Sequence, residues 1–256
     1  MSSKKTSLLD DEDLQIKARQ LRTLNNLNES EPVRLKSILQ KNRIISVFLP
    51  LSDRFSGMAI KTNNTNNPKR LILINSHHSL GRQHFTICHE FYHLYFQDDF
   101  SYLLDTTCKF DKSDAQEFNA DMFASYFLIP ETGLIEMIPK EERGLNKISL
   151  ETILAIEQYY SCSRTALLHR LKQSKRISSS LFDQYKLHVK RSALEYGYDI
   201  SLYNPGNEGL VIGDYGLKAM NLFETGKISQ SNYLSLLKDI GIDMSNLNDD
   251  AQNSSL

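Results

Sequence analysis

The chain has no tryptophan, only six prolines and eleven glycines, and just three cysteines, in 256 residues. Cys88, Cys108 and Cys162 are scattered and none sits in a CxxC pair. That spacing excludes a disulfide framework and a cysteine-rich metal site, and it fits a reducing cytoplasm. No apolar run approaches the roughly 20 residues of a membrane span, so no membrane partner is expected. Met1 to Asp13 carries two lysines but reaches Asp10-Asp11-Glu12-Asp13 without an apolar core, so no secretory signal is expected and the setting is read as cytoplasmic. Charge is balanced, 30 basic against 31 acidic residues, which excludes a global polyelectrolyte partner but not local asymmetry. With 40% hydrophobic residues the chain is long enough for one large core or two small ones.

What is present is His89-Glu90-Phe91-Tyr92-His93, an HExxH pentapeptide within the apolar-periodic run Arg82 to Phe96. On a helix, positions i and i+4 share a face, so the two imidazoles converge on one ion. Glu90, one residue round, is placed to act on a water as general base. The combination implies zinc-assisted peptide hydrolysis. A pentapeptide this short arises by chance, so its surroundings must carry the reading. Leu80, Phe85, Ile87, Cys88, Phe91, Leu94, Tyr95 and Phe96 give a broad apolar face, with Ser79 or Gly81 to open the helix. The motif therefore lies mid-helix and half-buried.

A second helix is expected over 114–130, with Ser113 or Asp114 as N-cap and Pro130 as terminator. In it Glu117 and Asp121 are again i and i+4. One of the two carboxylates can bind the metal while the other accepts a hydrogen bond from a ligand histidine's far nitrogen. Two histidines and one carboxylate with an open position form a catalytic rather than a structural zinc pattern. Upstream, Arg43 to Leu49, Gly57 to Lys61 and Lys69 to Asn75 read as short strands, separated in part by the turn-rich stretch from Asn63 to Pro68. Such a small sheet can take an extended peptide along its edge.

Arg82-Gln83-His84-Phe85-Thr86-Ile87-Cys88-His89-Glu90-Phe91-Tyr92-His93 resembles the R-x-x-F-T-x-A-H-E-x-x-H block of the ImmA/IrrE metallopeptidases. Glu117-Phe118-Asn119-Ala120-Asp121-Met122-Phe123-Ala124 through Leu128-Ile129-Pro130 resembles that family's second block. The resemblance implies an α+β, helix-rich fold with a zincin-like core, a small sheet and a C-terminal helical region. It also implies a zinc endopeptidase acting on a protein partner, often a helix-turn-helix repressor of a mobile element or stress response. By motif, His89, His93 and Glu117 become the Zn2+ ligands, Glu90 the general base, and Asp121 a supporting residue behind a ligand. Tyr92 stands where the family usually has glycine, and Asp121 where it usually has asparagine. Candidates for an oxyanion donor or cleft residue are Tyr92, Tyr126 and His84.

Further helices are expected at Leu14 to Leu27, Glu31 to Leu39, Thr132 to Ile138, Leu150 to Tyr160 and Arg164 to Lys172. A metallopeptidase domain over 1–140 and a C-terminal helical region over 141–256 follow, with a helix-turn-helix-like segment near 150–172. Between Arg164 and Arg191 there are eight basic residues against Asp183 alone. This admits an alternative reading as a DNA-binding or partner-binding regulator, with Arg164 and Arg170 as nucleic-acid contacts and the metal site structural or vestigial. A packed helical face is the favoured reading of that stretch, so nucleic acid is a less favoured partner. The acidic stretch from Asp98 to Asp121 would favour a basic peptide substrate.

Overall fold

The computed structural model describes residues 8–62, 68–97, 102–105, 110 and 113–242. Its first helix, α1 (Asp11–Leu24), starts where the Asp10 carboxylate accepts a hydrogen bond from the Asp13 amide at 2.7 Å. Three acidic residues in its first turn complement the helix dipole. After α2 (Leu35–Lys41) come β1 (Ile44–Leu49), β2 (Gly57–Lys61), β3 (Arg70–Asn75), α3 (Leu80–Phe96), β4 (Tyr102–Asp105) and α4 (Ala115–Leu128). The chain continues through α5 (Glu131–Met137), α6 (Leu150–Tyr160), α7 (Arg164–Gln173), α8 (Ser179–Tyr185), α9 (Val189–Glu195), β5 (Val211–Ile212), α10 (Tyr215–Glu224) and α11 (Gln230–Asp239). The fold is α+β and helix-rich, as expected.

The strands form one mixed sheet in the order β4-β2-β3-β1-β5. β1 and β3 run parallel, Ile44 beside Arg70 and Leu49 beside Asn75, while β2 lies antiparallel to both β3 and β4. One face of this sheet carries α3, and α4 packs on α3. The seam between the two helices is aromatic. Phe91 meets Phe127 edge-on at 5.8 Å, and Phe127 stacks on Phe123 at 5.7 Å.

The expected boundary near residue 140 falls inside a continuous core. Ile148, Ile153, Ile156, Cys162, Ala166, Leu167, Leu168 and Leu171 belong to the same buried cluster as Phe85 and Phe91. The later chain also returns to the sheet. β5 pairs with β1, and the Leu80 amide at the start of α3 donates to the Asn204 carbonyl at 2.9 Å. Gln83, fully buried, donates to the Gly206 carbonyl at 2.9 Å and accepts from Asn207 Nδ2 at 3.0 Å. These bonds pin the segment before β5 onto the N-terminal end of the motif helix.

Candidate metal centre

α3 is held from both sides by close backbone approaches that leave no space for a side chain. A Cβ on Gly81 would lie 2.8 Å from the Ser163 amide nitrogen, in the turn between α6 and α7. A Cβ on Gly57, at the start of β2, would lie 2.5 Å from Thr86 Cγ2 and 3.1 Å from Glu90 Oε1. Glycine at these two places lets the helix sit flush on the sheet and on the α6–α7 turn. His89, Glu90 and His93 are consequently all fully buried.

α4 brings the carboxylates. Asp114 caps it, its Oδ1 accepting from the Gln116 amide at 3.0 Å and the Glu117 amide at 3.3 Å. This fixes the register that points Glu117 and Asp121 at α3. Glu117 Oε2 lies 3.3 Å from His89 Nε2, and Oε1 lies 3.6 Å from His93 Nε2. The donor atoms of His89, His93 and Glu117 all fall within 4.8 Å of one another. Glu117 keeps 23% of its side chain exposed, but both of its carboxylate oxygens are buried with the histidines.

Behind the cluster, Asp121 Oδ1 lies 2.9 Å from His89 Nδ1, and Asp121 Oδ2 accepts from the Phe110 amide at 2.8 Å. His93 Nδ1 hydrogen-bonds to Gln97 Oε1. Both Nδ1 atoms thus face oxygen acceptors, so each ring carries its proton there and presents a lone pair at Nε2. The two Nε2 atoms stand 2.9 Å apart. Two facing lone pairs repel; a cation between them and the Glu117 carboxylate converts that repulsion into ligation. The residues therefore fit a divalent metal.

Residues 48–172 match the peptidase family described as the IrrE N-terminal-like domain. This region of the chain is similar to that family. No curated protein matches the chain. The match to the IrrE N-terminal-like domain runs from the end of β1 into α7, so it includes both α3 and α4 and crosses the boundary expected at residue 140. The match supports a metallopeptidase, and His89, His93 and Glu117 form a site that could hold a metal.

Of the expected site residues, the structure gathers His89, His93, Glu117 and Asp121, with Glu90 on the same helix beside Gly57. It places the suggested cleft donors elsewhere. Tyr92 is buried, its ring packed against His93, Phe96 and Phe123 at 5.8–6.3 Å. Tyr126 accepts from Gln173 Nε2 at 2.8 Å, and His84 Nδ1 bonds to the Ser161 carbonyl at 2.7 Å. Tyr126 follows Glu117 by nine residues, and His84 precedes His93 by nine. At about 100° per residue that spacing lands on the far side of a helix.

Arg164 and Arg170 are corrected more sharply, because only 2% and 3% of their side chains are exposed. Arg164 pairs with the fully buried Glu157, donates to the Tyr185 carbonyl at 2.9 Å and reaches Ser192 Oγ at 3.3 Å. Arg170 pairs with Glu131 at 2.5 Å and lies over the Tyr126 ring at 4.4 Å. Neither reaches a phosphate. α6 and α7 do form a helix-turn-helix outline, with Ser161 in the left-handed region at φ 51°, but in α7 only Thr165 and Lys172 are exposed.

The acidic stretch is used locally where it is described: Asp114 caps a helix and Asp121 backs His89. Asp98, Asp99 and Asp111, and most of the turn from Asn63 to Pro68, lie outside the described residues. Cysteine ligation is disfavoured, since burial pushes the Cys88 thiol far up and Cys162 up to about 12. Gln97 escaped the sequence reading. It sits four residues after His93, the same i, i+4 step that pairs the histidines, and that spacing was the signal available.

Proposed function

We propose that the protein is a zinc-dependent endopeptidase that hydrolyses a peptide bond in a specific protein partner. The family resemblance directs that reading to a helix-turn-helix repressor. The observation that carries it is the pair of Nε2 atoms 2.9 Å apart, each with its Nδ1 against an oxygen acceptor, beside the Glu117 carboxylate. Nitrogen and carboxylate donors in this number suit zinc and leave a coordination position open. A zinc ion held there would lower the pKa of a water and polarise the scissile carbonyl.

The chain's own residues do the rest. His89, His93 and Glu117 bind, and Asp121 and Gln97 orient the imidazoles. Glu90, buried beside them, takes the proton from the attacking water and returns it to the departing amine. Tyr92, Tyr126 and His84 take no part.

Co-expression with any helix-turn-helix repressor encoded beside the gene, wild type against Glu90→Gln, tests this. Fragmentation by the wild type alone, with equal zinc in both purifications, is expected. Fragmentation by both proteins, or by neither with zinc bound, overturns the reading. The DNA-binding alternative has lost its two named contacts to the interior of the fold. A gel shift at low salt is therefore expected to show no binding.

A further inference from the structure

The two imidazoles of the cluster are backed unequally. His89 faces a carboxylate, Asp121, which a backbone amide also holds; His93 faces a neutral side-chain amide, Gln97. Gln97 occupies the residue where α3 stops. Its backbone amide donates to the Tyr92 carbonyl at 3.2 Å, and its ψ of 121° turns the chain off the helix. The side chain, freed from the helical path, folds back over the last turn onto the His93 ring.

We propose that Gln97 is a positioning residue for the metal, one that sets the ring proton and orientation of His93 without adding charge. The proposal rests on reading the cluster as a zinc site. Oε1 accepts from Nδ1–H, which selects one tautomer and aims the Nε2 lone pair toward His89 and Glu117. Without that acceptor the His93 proton is free to move to Nε2, where it occupies the ligand lone pair.

Charge explains why an amide stands here. Glu90, Glu117 and Asp121 already place three carboxylates around two buried imidazoles. A fourth would add negative charge at a site that must also admit a carbonyl oxygen gaining negative charge. An amide supplies the hydrogen bond and leaves that total unchanged.

The test is a competitive zinc titration against a chromophoric chelator, with the wild type, Gln97→Met and Gln97→Glu. Methionine keeps the length and loses the acceptor; glutamate keeps the acceptor. Zinc affinity is expected to fall about 10- to 100-fold in Gln97→Met and to return in Gln97→Glu. Ring-nitrogen NMR of the metal-free proteins should show His93 as a single Nδ1–H tautomer in the wild type and a mixture in Gln97→Met. A loss of packing alone moves neither the tautomer nor the rescue, and the thermal midpoint of the metal-free proteins reports it separately. Equal affinity in Gln97→Met, or no rescue by Gln97→Glu, overturns the proposal while the zinc site stands. A wild type that binds no zinc overturns both.

Discussion

Gly57 decides how closely Glu90 can approach the sheet. A methyl group there meets Thr86 Cγ2 at 2.5 Å and Glu90 Oε1 at 3.1 Å, and the first distance forces something to move. Gly57→Ala is expected to cost about 1–3 kcal/mol of stability by overpacking. The double variant Gly57→Ala, Thr86→Ser removes the clashing Cγ2, so urea unfolding should recover most of that loss. Its peptide hydrolysis should stay depressed, since the crowding of Glu90 remains. Recovery of both would make Gly57 a packing residue only. His89, Glu90 and His93 were legible in the sequence from helical spacing, which left Glu117 and Asp121 as alternatives until the family resemblance chose Glu117. Gly57 was not, because its role depends on a strand thirty-three residues away in the chain coming to rest on Glu90.

Among the elements, α3 and α7 show where one-dimensional reading succeeds and fails. Bounds such as Leu150–Tyr160 and Gly57–Lys61 match the sequence expectation, since apolar period and capping residues are local signals. The meaning of α7 was not local. Arg170 is far apart in sequence from its partner Glu131, and only tertiary packing shows that it points inward. Arg164, a nucleic-acid contact only in the less favoured sequence reading, joins α7 to α6, α8 and α9 through Glu157, Tyr185 and Ser192. Tyr203 also donates to Glu157 Oε2 at 2.7 Å. Removing one member of a buried pair leaves the other charge uncompensated. Arg164→Met is therefore expected to lower unfolding free energy by about 3–5 kcal/mol. Arg164→Met combined with Glu157→Met should restore much of it, and denaturant titration of the three proteins checks both values. A change under about 1 kcal/mol in the single variant would return Arg164 to the surface.

For the whole molecule, one core runs from α1 to α7 and is closed by the segment before β5, so the sheet, the motif helices and the later helices should unfold together. No helix among the described residues is long and apolar enough to cross a membrane. Three histidines away from the metal cluster are also wholly or partly buried. His78, His84 and His169 all have pKa values lowered from 6.5, in each case first by burial. In the unfolded chain these rings take up protons near pH 6.5; in the folded chain they resist until lower pH. The stability they contribute is full above about pH 6.5 and is lost as pH falls toward their folded values. The thermal midpoint of the metal-free protein should accordingly drop as pH falls below about 6.5, and His169→Gln should flatten part of that slope. A midpoint constant over that range would show that the three rings titrate normally.

X-ray absorption at the zinc edge, on protein purified with zinc from expressing cells, addresses the metal centre most directly. Two imidazole nitrogens and a carboxylate oxygen in the first shell, with no sulfur, are expected from His89, His93 and Glu117. A sulfur ligand, a shell without imidazole, or no zinc retained at all would contradict the account.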